Sequence, residues 1–200
     1  MSPVHKQWIV VAAVVALGTA GLILVNRQPT RDQSTVTGDD PVVEIDTMYG
    51  PIRIRLLRQK APETVANFVS LVRKKFYDGL SFTTVNKPGG VIGGGQAPKG
   101  KEIKEFVRLE ENDLRMDRGT VAMWHPQGQG DNNTSAFMIL LAARPGMEDF
   151  YTAFGRVESG MDVVDTIANV ETTGPDGKPP FTPLDRVTIR KITILDEKED

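Results

Sequence analysis

The chain has 200 residues, 40% of them hydrophobic, and a formal net charge of −2. That suits one domain of ordinary size with an appendage, and it supplies no concentrated basic face for nucleic acid. With no cysteine and only two histidines, far apart, the chain has no disulfide, no thiolate metal site and no lipidated cysteine; neither a metal nor a cofactor is expected.

Residues 1–7 read as a short tail. From Trp8 to Val25 no charge interrupts an apolar run, which as a helix is about 27 Å long against a hydrocarbon core of about 30 Å. The expectation is one transmembrane helix over residues 8–25. A cleaved signal peptide is the alternative, with Gly18 and Ala20 as small residues, but the run continues through Leu22 to Val25 where a polar region belongs. Lys6 and the amino terminus nearly balance Arg27 and Arg31 across the span, so charge does not fix its orientation. The commoner arrangement is adopted: a single-pass protein with its folded domain on the extracytoplasmic side. Residues 26–41 have little to bury and form a flexible polar linker. A barrel domain is expected over 42–196, followed by an acidic tail at 197–200.

Val43 and Ile45 alternate with Glu44 and Asp46, and beyond Tyr49-Gly50-Pro51 the same period-two pattern returns in Ile52 to Leu56, predicting a β-hairpin with one buried face. Pro62 and Glu63 suit the first turn of a helix whose inward positions are Val65, Phe68, Val69, Val72 and Phe76, stopped by Asp78-Gly79. Short strands and glycine-rich loops follow from Phe82 to Leu141. Thr152 to Gly155 is another β-prone stretch, and Ser159 with Asp162 reads as the capped start of a second short helix. In Val187 to Leu195 the buried phase slips at Arg190-Lys191, predicting a β-bulge. Many strands with two helices, and β segments at both ends, predict a mainly β fold closed into a barrel and capped at its ends.

Gly93-Gly94-Gly95 lacks the Lys-Ser/Thr and the helix of a phosphate loop, and Gly128 to Asn133 lacks the acidic spacing of an EF-hand. Both read as tight turns. Ser135 and His125 sit in no nucleophile elbow.

The local patterns nevertheless fall in a recognisable order. Tyr49 to Leu56, Ala61 to Phe68, Tyr77 to Phe82, Pro88-Gly89 with Ile92 to Gly95, Arg118 to Met123, Asn133 to Phe137, and Tyr151 to Val157 with Gly160 to Val164 together resemble the cyclophilin family of peptidyl-prolyl cis-trans isomerases, over roughly Val42 to Leu195. The resemblance implies an eight-stranded antiparallel barrel closed by two helices, a monomer that acts on Xaa-Pro bonds in proline-containing segments or unfolded proteins. It also implies where the site lies. The family's catalytic arginine falls at Thr84, or at Val85 if the gap lies earlier. Its pocket aromatic falls at Gly90, and its two glutamines fall at Gly93 and Ala136. The remaining substrate-binding positions fall at Val91, Trp124, His125, Met138, Met147 and Tyr151. Arg115 and Arg118 match positions that precede a strand away from the groove. No residue is therefore assigned as catalytic, and two readings stay open: an isomerase, or a peptide-binding or scaffold module that keeps the barrel with little turnover.

Overall fold

A computed structural model describes residues 40–100, 103, 107–124 and 135–195. The expected spanning segment 8–25, the linker as far as residue 39, His125 and the acidic tail lie outside the described residues. Among the described residues no helix is long and apolar enough to cross a membrane. The two residues before the expected domain start are tied to the barrel: Asp40 is buried and accepts a hydrogen bond from the Arg58 amide (3.0 Å), while the Pro41 carbonyl accepts one from the Leu56 amide (2.9 Å).

Eight strands and two helices follow in chain order: β1 (Val42–Thr47), β2 (Gly50–Leu56), α1 (Pro62–Arg73), β3 (Ser81–Asn86), β4 (Val91–Gly94), β5 (Thr120–Met123), β6 (Phe137–Leu140), β7 (Ala153–Ser159), α2 (Met161–Ile167) and β8 (Val187–Ile194). The strands close into an antiparallel barrel in the order β1-β2-β7-β5-β6-β4-β3-β8. The mainly β barrel with two helices is thus as expected. Its interior holds the inward residues of the strands, among them Ile45, Ile54, Ile92, Phe137 and Phe154, together with the apolar faces of both helices. Burying such a side chain contributes about 1.5–3 kcal/mol, so this interior is the fold's main source of stability.

The phase slip in β8 is a bulge: Asp46 pairs with Lys191 and Thr47 with Ile189, leaving Arg190 without a partner in the ladder. Two local expectations change. The first helix stops at Arg73, before Phe76, because Lys75 takes a left-handed φ of 54°. The amides of Lys75 and Phe76 then bond back to the carbonyls of Val72 and Leu71, which is a Schellman ending with lysine in place of the usual glycine. Ser159 does not cap α2 either. It is the last residue of β7, paired with Arg53, and the cap position belongs to Gly160 at φ 90° with no side-chain bond.

The glycine run ending β4 is a packing feature. A Cβ at Gly95, where φ is 74°, would lie 2.8 Å from the Phe137 ring and 2.9 Å from that of Tyr77. Tyr77 is fully buried; its hydroxyl donates to the Ser135 carbonyl (3.0 Å), and burial pushes its pKa well above the ordinary value.

Candidate functional site

Strands β4, β5 and β6 are four residues each and buried along their whole length, so their outer face is covered as well as their inner one. One in-register row crosses that outer face: Thr84 on β3 pairs with Gly93 on β4, Gly93 with Met138 on β6, Met138 with Ala122 on β5, and Ala122 with Ala153 on β7. Val91 and Leu140 form the neighbouring row. Around these residues gathers a second apolar cluster, separate from the interior: Leu57, Val91, Leu114, Met116, Ala122, Met138, Leu140 and Ala153, with Trp124, Met147 and Tyr151 packed on it and partly exposed.

Most of the residues singled out by sequence therefore meet on one face. Val91 and Met138 form its floor, at 5% and 0% exposure, while Trp124, Met147 and Tyr151 form its rim. Ala136 is buried just before β6, and its carbonyl accepts the Trp124 amide (2.8 Å).

The rim is built by two connections. Segment 107–118 runs along β7: the Glu110 amide bonds to Thr152 Oγ1 (2.8 Å), Asn112 Nδ2 donates to the Ala153 carbonyl (2.9 Å), and Arg115 receives the Thr120 hydroxyl (3.0 Å) on its carbonyl. The β6–β7 connection carries Met147 and Tyr151 and joins that segment through the Arg144 amide, which donates to the Met116 carbonyl (2.7 Å). The Glu148 carboxylate adds a second link, accepting the amides of Met116 (3.2 Å) and Gly146 (2.6 Å). Backbone N–H groups, its own first and then those of Met116 and Gly146, hold its pKa below the usual carboxylate value.

At Thr84, half-buried on β3, a hydroxyl stands where the resemblance places an arginine. The arginines nearest in sequence to the groove are committed elsewhere. Arg118 donates to both carboxylate oxygens of Asp165 (2.8 and 2.7 Å) and to the Leu141 carbonyl (3.0 Å), on the α2 side of the barrel; Arg115 pairs with Asp117 (2.8 Å). Arg144, which sequence reasoning missed, donates from Nε to the Gly89 carbonyl and from Nη2 to the Pro88 carbonyl, both at 2.8 Å. Its guanidinium fills the space a side chain at Gly90 would need. Leu57, Leu114 and Met116 were missed too, although Leu114 and Met116 alternate with charges in Asp113-Leu114-Arg115-Met116-Asp117, a faint period-two signal. Among the described residues no group of three or more His, Cys, Asp or Glu side chains is placed to hold a metal.

The chain is thus a closed eight-stranded antiparallel barrel that carries a second apolar cluster on its outer face, over three short strands. The family described as "Cyclophilin type peptidyl-prolyl cis-trans isomerase/CLD" matches residues 42–194, and the chain belongs to that family. Among its relatives, peptidyl-prolyl cis-trans isomerase B of Escherichia coli is 34% identical over 163 residues, covering 76% of this chain and 99% of that protein. An Arabidopsis thaliana peptidyl-prolyl cis-trans isomerase is 29% identical over 168 residues, 80% of this chain and 96% of that one. A Cryptosporidium parvum cyclophilin-type isomerase, crystallised in the presence of the dipeptide Ala-Pro, superposes with a TM-score of 0.69 at 26% identity, covering 78% of this chain and 99% of that chain.

Proposed function

We propose that this chain binds extended proline-containing segments in the outer groove and isomerises their Xaa-Pro bonds with reduced turnover, tethered to a membrane through residues 8–25 as a monomer with the barrel on the extracytoplasmic side. The observation that carries the reading is the apolar floor of Val91 and Met138 under a partly exposed rim of Trp124, Met147 and Tyr151, in a chain of this family. Such a surface suits a pyrrolidine ring, and the Ala-Pro dipeptide present with the Cryptosporidium relative carries one.

Reduced turnover follows from Thr84. Rotating a prolyl amide crosses a barrier of roughly 18–20 kcal/mol, because the nitrogen lone pair is conjugated with the carbonyl. Catalysis needs an interaction that is stronger in the twisted state, and a cationic hydrogen-bond donor supplies one. Threonine has no planar fork and no charge. The second reading, a peptide-binding module without turnover, draws on the same residue.

Exchange spectroscopy on Ala-Pro and Phe-Pro peptides separates the two. Modest acceleration by the unmodified chain, raised about tenfold or more in Thr84→Arg, supports the isomerase. Binding with no acceleration leaves the binding module.

A further inference from the structure

Trp124 leaves β5 on the outer face, two residues beyond Ala122, and its indole reaches across β6 to β4. The ring carbon Cε3 lies 3.5 Å from where a Cβ on Gly93 would stand, and the Thr84 Cβ lies 3.8 Å from the same point. Ala136, just before the intervening β6, is joined to Trp124 by the backbone, its carbonyl accepting the Trp124 amide (2.8 Å), and carries only a methyl group. Three positions that would otherwise present side chains to the groove, Thr84, Gly93 and Ala136, are thus small, and one large aromatic ring occupies the space beside them. The indole is only partly buried and packs on the apolar cluster alongside Met147 and Tyr151. Phe150, in the same β6–β7 connection as Met147 and Tyr151, is 62% exposed.

We propose that Trp124 is the specificity-determining residue of this groove: its indole, seated over Gly93, is the wall against which the residues flanking a ligand's proline pack. The proposal deepens the peptide-binding reading above and rests on it. Aromatic walls recognise proline-rich and apolar extended segments through ring stacking and area, without needing hydrogen bonds from side chains. The ligand class that fits is a proline flanked by bulky apolar residues, in preference to one flanked by glycine. Tryptophans in such positions commonly carry much of the binding energy of an interface.

The chain has two tryptophans, Trp8 and Trp124, so the full chain in detergent with Trp8→Phe reports fluorescence from Trp124 alone. In that background the probes are the peptides Ala-Leu-Pro-Phe-Ala and Ala-Gly-Pro-Gly-Ala. The Leu/Phe-flanked peptide is expected to shift the emission and to bind about tenfold more tightly than the Gly-flanked one. Trp124→Leu, followed by calorimetry, is expected to lose that preference while keeping weak binding of both. Gly93→Gln places a long side chain where the indole sits and is expected to lose the preference too. Gly93→Ala adds only an ordinary van der Waals contact and is expected to cause a smaller loss than Gly93→Gln. Thermal unfolding beside each titration separates a misfolded variant from a rearranged groove, and the graded glycine pair keeps the test decisive if Trp124→Leu does not fold. Should the unmodified chain bind neither peptide, the peptide-binding reading and the proposal fall together. Should it bind both equally, or should Trp124→Leu and Gly93→Gln keep the full preference, the proposal alone is overturned.

Discussion

Gly90 and Arg144 form a matched pair. Gly90 has φ 72°, and a Cβ there would lie 2.5 Å from Arg144 Nε and Nη2, so a side chain at this position is opposed both by its own backbone and by the guanidinium. The arginine in turn fastens the β3–β4 turn through the carbonyls of Pro88 and Gly89. Gly90→Ala should therefore destabilise the barrel by about 1–3 kcal/mol in urea unfolding; a change within experimental error would show that the turn adapts freely. Arg118 gives the opposite expectation. Its pair with Asp165 is solvent-exposed on both sides, 45% and 50%, so Arg118→Ala should cost less than about 1 kcal/mol and leave prolyl exchange unchanged. A large drop in exchange would place a guanidinium in the chemistry that the geometry directs elsewhere. At this scale the sequence was informative about absences. Thr84, Gly90, Gly93 and Ala136 could be read as missing groups, but the Arg144 guanidinium at Gly90 and the Trp124 indole beside Gly93 arrive from elsewhere in the chain, which the sequence alone does not show.

Elements were legible where their pattern was periodic. The β1–β2 hairpin, the apolar stripe of α1 and the Arg190 bulge all follow from alternation, since one face is buried and the other is wet. Strands β4, β5 and β6 are buried on both faces and so carry no alternation, which hid the existence of an outer core. The start of α1 was read only in part. Pro62 and Glu63 were correctly placed, yet Ala61 provides no side-chain cap. The cap comes from the connection instead: the two carboxylate oxygens of Glu110 accept the amides of Glu63 (3.0 Å) and Thr64 (2.7 Å). A carboxylate here satisfies two otherwise orphan donors and faces the positive end of the helix. Glu110→Ala is therefore expected to lower stability by about 1–2 kcal/mol, measured by urea unfolding at neutral pH. Loss of less than a few tenths would mean water replaces the carboxylate at no cost. Because Glu110 lies in the segment 107–118 that lines the groove rim, the same variant should also loosen amide-exchange protection from residue 110 to Met116.

For the whole molecule, the consequential join is between the segment 107–118 and the β6–β7 connection, since together they cover the outer cluster and carry the rim. Glu148 holds that join through backbone donors on both sides, the Met116 amide on one and its own and the Gly146 amide on the other. These bonds favour the carboxylate, so the folded-state pKa lies below the ordinary 4.5. The sign of the linkage follows. A carboxyl whose pKa is depressed by folding contributes its stability in full above its unfolded value, and that contribution disappears as pH falls through the lowered folded value. Asp113, whose pKa is also lowered, by hydrogen bonding and then Coulombic attraction from Lys60 (2.6 Å), ties the same segment to the end of the β2–α1 connection and acts in the same direction. Thermal unfolding of the unmodified chain should accordingly drop on acidification from about pH 5 to about pH 3. Glu148→Gln should start lower at the upper end of that window, where the ionised carboxylate is lost, and fall less steeply, the two curves approaching each other at the acid end. Groove occupancy gives the second readout: if the join positions Met147 and Tyr151, proline-peptide affinity should decline over the same acid window in the parent, and Glu148→Gln should reduce that dependence. Parallel unfolding curves for parent and variant would show that the backbone bonds to Glu148 do not hold the join, and the rim would then be positioned by the Arg144–Met116 backbone bond and apolar packing alone.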